Sequence, residues 1–283
     1  MTVETEHVAF LSDGVVVRGE RLTPESTRGT VLFLHGGGQT RHAWGAGARL
    51  LAEEGWTCVT VDLRGHGDSD WADDGRYDLP AHVGDVRAVC TAVGGDVVLV
   101  GASLGGMTAL SLAAADDSPV RGLVLVDIVP RPEAEGVRRI VEFMTGHLDG
   151  FDTLDEVADA VADYTGRPRR TDIEGLRKNV RQHADGRWYW HWDPQLMRPN
   201  QREEPRPGVS GDALMLAARS VRVPVLVVRG GESDVVGEAG VQELVDVLDD
   251  VVVVTVPGAR HMVAGDDNDA FVAAVRDFLD TRF

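Results

Sequence analysis

Six short apolar runs punctuate the chain: Val31 to Leu34, Cys58 to Val61, Val97 to Val100, Leu123 to Val126, Val225 to Val228 and Val251 to Val254. Unbroken runs of this kind read as strands buried on both faces of a parallel sheet. Helix-like segments separate them. Pro80 opens one in which Val83, Val86, Cys90 and Val93 recur at helical spacing, and Phe271, Val275, Phe278 and Leu279 share one face of another. Residues His7 to Leu22 instead alternate apolar and polar about Asp13-Gly14, a hairpin signal. Strands alternating with helices predict an α/β chain built on a mostly parallel, doubly wound sheet.

The rhythm breaks between Arg131 and Ser220, where no strand-like run of that quality occurs. Helical segments are expected there from Glu133 to His147, Thr153 to Tyr164 and Asp172 to Gln182. They are followed by the aromatic stretch Arg187 to Pro194 and a loop rich in Pro and charge from Pro199 to Gly208. The pattern predicts a helical cap, residues 131–220, inserted between two strands of a core formed by 1–130 and 221–283. Trp188, Trp190 and Trp192 lie in this insertion, and Trp44 follows the first strand's glycine-rich loop. Such aromatics either line an apolar pocket or glue elements together. Trp44, Trp190 and Trp192 are the candidate substrate-binding residues. His191, between two of the aromatics, reads as a packing residue.

Composition narrows the field. With 28 Lys and Arg against 46 Asp and Glu, the 283-residue chain carries a net charge of −18, which repels nucleic acid and anionic membranes. The insertion holds 14 basic and 16 acidic residues, and the remainder 14 and 30. The insertion's arginines either attract an anionic or polar substrate group or, more simply, pair with its own carboxylates. Cys58 and Cys90 lack metal-site spacing and read as buried free thiols, so neither a disulfide framework nor a metal is expected. The first residues lack the basic start and apolar core of a signal peptide, and no apolar stretch is long enough to span a bilayer, so a cytoplasmic protein is expected.

Three motifs carry the chemistry. Gly101-Ala102-Ser103-Leu104-Gly105 fits G-x-S-x-G and sits between a buried strand and a helix with Leu104, Met107, Leu110, Ala113 and Ala114 on one face. Small neighbours let strand and helix approach closely enough to project a serine from a sharp turn, and the helix start directs free N–H groups at a developing oxyanion. Leu104 is the natural first donor. The second comes from His35-Gly36-Gly37-Gly38, with Gly37 preferred and Gly38 the alternative. A serine nucleophile needs a base and an orienter. His261, in a loop beyond the last apolar run, is the expected base. Asp234, after the turn Gly230-Gly231-Glu232-Ser233, is the expected acid.

The order Ser, Asp, His together with Asp62-Leu63-Arg64-Gly65-His66-Gly67-Asp68-Ser69, which fits D-x-R-G-x-G-x-S, makes the chain resemble α/β-hydrolase-fold serine hydrolases over nearly its whole length. The resemblance implies an α/β-hydrolase fold with an inserted cap, the triad Ser103, Asp234 and His261, an oxyanion hole at Gly37 and Leu104, and no cofactor. It also makes Asp127, at a strand end some relatives use for the acid, a rival to Asp234. The implied activity is cleavage of an ester, lactone or other activated carbonyl of a small to medium, partly apolar molecule through an acyl-enzyme. The HGGG loop and cap also resemble carbon–carbon hydrolases of the meta-cleavage type, although Met262 stands where these often carry tryptophan. Some relatives are small-molecule receptors with little turnover. The motifs leave the oligomeric state open.

Overall fold

The computed structural model describes residues 2–169, 173–197, 210–266 and 268–283. In chain order its elements are β1 (Val3–Ser12), β2 (Val15–Pro24), β3 (Thr30–Leu34), α1 (Gly45–Glu53), β4 (Thr57–Val61), α2 (Leu79–Ala92), β5 (Val97–Ala102), α3 (Leu104–Ala113), β6 (Val120–Val126), α4 (Ala134–Thr145), α5 (Leu154–Thr165), β7 (Val180–Gln182), β8 (Trp188–Trp190), α6 (Gly211–Ser220), β9 (Val225–Gly230), α7 (Glu238–Val245), β10 (Val251–Val256), α8 (Val263–Asp266) and α9 (Asn268–Arg282). All six apolar runs are strands of one eight-stranded sheet ordered β1-β2-β4-β3-β5-β6-β9-β10. From β4 to β10 the pairings are parallel, and β1 and β2 add an antiparallel edge. The hairpin turns at Asp13 and Gly14, both with positive φ, as a two-residue primed turn requires.

Two layers of side chains cover the sheet. One face packs on α1 and α9 through Val31, Phe33, Leu51, Phe271 and Phe278, and the other on α2, α3 and α6 through Leu32, Leu34, Leu99, Leu110 and Leu214. Two details depart from the expected pattern. In α3 the buried surface is not the single face predicted: Ala109 and Leu112 are fully buried while Leu104 and Met107 are only half-buried, because the helix is wedged between α2 and α6 with its start left open to the site. The run Val251 to Val254 is not buried on both faces either. Val252 and Val253 are 40% and 41% exposed, since β10 is the sheet's edge and pairs only with β9.

The insertion leaves the sheet after β6 and returns at β9. The expected helices at 133–147 and 153–164 are α4 and α5, the latter capped by the Thr153 hydroxyl accepting from Glu156 N–H. The third is a 3-10 turn over Glu174–Asn179 that runs into β7, and its expected start at Asp172 lies outside the described residues, as does the loop Pro199 to Gly208. The aromatic stretch provides β8, antiparallel to β7 with Val180 opposite Trp190. α6 packs on α3, so the crossover helix leading into β9 begins within the 131–220 segment.

The D-x-R-G-x-G-x-S turn is held by buried charge. Asp62 is fully buried; its carboxylate accepts from Arg41 N–H (2.7 Å), Asp68 N–H (2.9 Å) and the Arg41 guanidinium. Gly67 has a φ of 56°, and a Cβ there would lie 2.2 Å from an Asp62 oxygen, so no other residue fits. Arg64 makes a bidentate pair with Asp85 of α2, 2.6 and 2.7 Å, with both side chains buried. Removing one partner of such a pair strands a buried charge. Asp85→Ala should therefore lose about 3–5 kcal/mol in urea unfolding, and Arg64→Met with Asp85→Leu should recover most of it. A loss below about 1 kcal/mol for the single variant would show that water reaches Arg64.

Candidate active site

Ser103 stands between β5 and α3 at φ 45° and ψ −114°, outside the helical and extended regions. Such a conformation persists only where its surroundings force it. Here they do so by close approach: a Cβ on Gly101 would lie 2.5 Å from Gly105 O, one on Gly105 2.3 Å from Leu34 O, and one on Gly36 3.3 Å from Ser103 Cβ. The elbow is thus pressed against the end of β3 and the glycine loop that follows it.

His261 and Ser103 line the same cavity. The partner of His261 is Asp127, and this corrects the expectation of Asp234. The His261 Nδ1–H donates to Asp127 Oδ2 at 2.8 Å. Asp127 is buried immediately after β6, with a φ of 47°, and also accepts from Ser233 Oγ (2.5 Å) and Gly230 N–H (2.8 Å). Ser233 Oγ is itself fixed by the N–H groups of Val235 and Val236. The turn that signalled Asp234 in the sequence therefore wraps the Asp127 carboxylate. Asp234 points away, into an ion pair with Arg139 of α4, beside a cavity of about 40 Å³ that it shares with His261 and Arg260. Ser233, which sequence reasoning passed over, carries no motif of its own; its role follows only from the adjacency of β6 and β9.

The donor groups sort themselves. Gly36 N–H is taken by Gln39 Oε1 (3.0 Å), Gly38 N–H by His66 Nε2 (3.2 Å) and Gly105 N–H by His35 O (3.1 Å). Among the described residues the N–H groups of Gly37 and Leu104 have no partner, and both residues line the cavity. This arrangement favours Gly37 over Gly38 as the second donor.

Three buried histidines brace the loop. His35 Nδ1–H donates to Gly36 O (2.8 Å) and its Nε2 accepts from Leu63 N–H (2.9 Å). His66 Nδ1–H donates to Arg64 O, and His191 accepts from Gly67 N–H at Nδ1 (2.8 Å) while Nε2–H donates to Gly38 O (3.3 Å). Each ring is one donor and one acceptor, so each is needed neutral. Burial pushes all three below the ordinary histidine range, His66 well below with help from its two neighbours, and His191 down to about 3.

The cavity measures about 580 Å³ and lies between the sheet's carboxyl edge and the insertion. Trp190 and Trp192 line it, stacked at 4.7 Å, together with Phe143, Met144 and Val161. Trp44 also reaches the cavity, but its ring packs between Phe33 and Phe271 in the core. Among the described residues no group of His, Cys, Asp or Glu has the arrangement of a metal site.

Comparison with known proteins agrees with this fold. The family model of the alpha/beta hydrolase fold matches residues 29–267. An esterase of Mycobacterium tuberculosis is 33% identical over 89% of this chain and 83% of its own length. A 3-hydroxybutyrate-oligomer hydrolase of Cupriavidus necator is 33% identical over 72% of each chain. The crystal structure of an alpha/beta hydrolase from Novosphingobium aromaticivorans superposes with a TM-score of 0.81 at 26% identity, covering 99% of both chains.

The histidine cluster sets a pH dependence. Each ring's folded pKa lies below its unfolded value near 6.5, so the unfolded chain binds more protons in acid and stability falls as pH drops below about 6.5. The slope should approach about 1.4 kcal/mol per pH unit for each histidine that stays neutral. Urea midpoints at pH 7.5, 6.0 and 5.0 should decline, and the decline should be shallower in His191→Gln. A flat profile would mean that the cluster takes up protons without cost.

Proposed function

Because this chain belongs to the α/β-hydrolase fold family, we propose that it is a serine hydrolase of esters in which Ser103, His261 and Asp127 form the triad. The observation that carries the reading is that His261, hydrogen-bonded to Asp127, lines one cavity with the elbow serine and with the free Gly37 and Leu104 N–H groups. Ser103 Oγ attacks the ester carbonyl as His261 Nε2 takes its proton. Asp127 holds Nδ1–H, fixing the tautomer and stabilising the imidazolium. The Gly37 and Leu104 N–H groups receive the oxyanion. His261 then protonates the departing alkoxide, leaving an acyl-enzyme, and water activated by the same histidine releases the acid. The insertion acts as the lid that closes the substrate cavity. A reducing, cytoplasmic location fits the two buried free thiols and the absence of any described helix long and apolar enough to cross a membrane.

The test is chemical labelling followed by kinetics. A fluorophosphonate should label Ser103, and labelling should vanish in Ser103→Ala and fall sharply in His261→Ala. On a p-nitrophenyl ester, Asp127→Asn should lower kcat by up to about 10⁴-fold, as loss of the orienting carboxylate does in a protease triad. Asp234→Asn removes only a half-exposed ion pair and should stay within about tenfold of the parent. Equal losses in the two variants would reject the assignment of the acid. Labelling that persists in Ser103→Ala would reject the nucleophile.

A further inference from the structure

The cavity above Ser103 is charged against the rest of the molecule. The chain carries −18, yet the described residues lining this cavity include Arg167, Arg169 and Lys178 and no Asp or Glu. Many of the insertion's cations are tied to its own carboxylates: Arg138 to Glu135, Arg169 to Asp155 and Asp159, Arg177 to Glu174, and Arg187 to Asp152. Arg177 also stacks over Trp188, its guanidinium 4.8 Å from the ring centre. Lys178 differs. It follows Arg177 in the same 3-10 turn, lines the cavity, and has no hydrogen-bond or ion-pair partner for its ammonium among the described residues.

A cation at the rim of an apolar chamber with no partner among the described residues does little for folding, because its solvated ammonium buries none of the tryptophan walls. It does alter what enters. A surface of −18 disfavours anions, but exposed charges are screened within about 10 Å in ordinary salt, whereas the field inside a cleft with low-dielectric walls is focused. A flexible ammonium with three donors suits a carboxylate without demanding one fixed approach.

Resting on the serine-hydrolase reading, we infer that the substrate is an anionic ester, one with a free carboxylate held by Lys178 and an apolar stretch lying against Phe143, Trp190 and Trp192. Hydrolysis of such an ester consumes one water. The acyl C–O bond breaks, Ser103 and then water supply the new C–O bond, and the leaving alkoxide takes its proton from His261.

Paired esters test this on the intact protein, with the carboxylate placed on either side of the scissile bond. One pair is mono-p-nitrophenyl glutarate against p-nitrophenyl valerate, and the other is 4-(butyryloxy)benzoate against phenyl butyrate. The expected result is a kcat/KM at least about tenfold higher for the anionic member of one pair, the scale of one charge-assisted hydrogen bond. That ratio should collapse in Lys178→Gln, be largely kept in Lys178→Arg, and shrink between about 10 mM and about 300 mM salt. Intrinsic reactivity differences between the esters cancel when the variant's ratio is divided by the parent's. Neutral esters turned over by Ser103 with no anionic preference in either pair, or a preference that Lys178→Gln leaves intact, would overturn the inference while the hydrolase reading stands. No turnover of any ester together with no fluorophosphonate labelling of Ser103 would remove both.

Discussion

The site depends on one buried carboxylate. Asp127 leaves β6 in a left-handed conformation that costs a non-glycine residue free energy. Its oxygens then receive three donors from two other parts of the chain: Gly230 N–H at the end of β9 with Ser233 Oγ just beyond it, and His261 after β10. An ionised group this deep is tolerated only when its lone pairs are satisfied. The same bonds that keep Asp127 in the interior also bring the loops of three adjacent strands to one point. Neutralising the carboxylate removes the charge that draws these donors together, so the geometry of the base and the order of the β9 turn are linked through this residue.

The two aspartates show where sequence reasoning stops. Both follow an apolar run, both precede His261, and Asp234 has the richer turn signal in Gly230 to Ser233. What separates them is the side-chain network across β6 and β9, which periodicity cannot express. That turn is used, but as a cradle: Ser233 spends its hydroxyl on Asp127, while Asp234 spends its charge on Arg139. The fold was far more legible. Six valine- and leucine-rich runs needed only to be counted to predict the sheet, and Asp13-Gly14 to predict the hairpin. The edge position of β10 was not legible, since a strand's neighbours are a property of the whole sheet. The elbow could be read because its glycines are demanded by backbone contacts within a few residues of Ser103 and by the adjacent β3 end.

The insertion packs against the glycine loop that follows β3 as well as lining the cavity. Met144 of α4 lies 3.4 Å from where a Cβ on Gly37 would sit, and a Cβ on Gly38 would meet Trp192 at 3.5 Å. His191, in the bend just after β8, donates to Gly38 O and accepts from Gly67 N–H. The loop that presents Gly37 is thus packed from below by His35 and His66 and from above by the insertion. A change in the position of α4 or of the tryptophan stack therefore shifts the Gly37 N–H as well as the cavity's aromatic wall. Substitutions of the cavity's aromatic wall should not be read as changes of specificity alone, because kcat and KM share this scaffold.

Charge and packing divide the cavity's work. Near Ser103 the cavity is lined by the Gly37 and Leu104 backbone N–H groups and by His66, which burial holds well below the ordinary histidine range, so in the proposed mechanism a developing oxyanion meets dipoles whose orientation is already fixed. The middle is aromatic and aliphatic, and is indifferent to anything but area. Cationic side chains line the cavity at Arg167, Arg169 and Lys178, all supplied by the insertion, and Arg169 is already paired with Asp155 and Asp159. A full charge beside the scissile carbonyl would stabilise bound ester and product acid along with the transition state. In the proposed mechanism a charge placed on the insertion instead serves recognition, and the differential stabilisation that accelerates the reaction falls to the Gly37 and Leu104 amides.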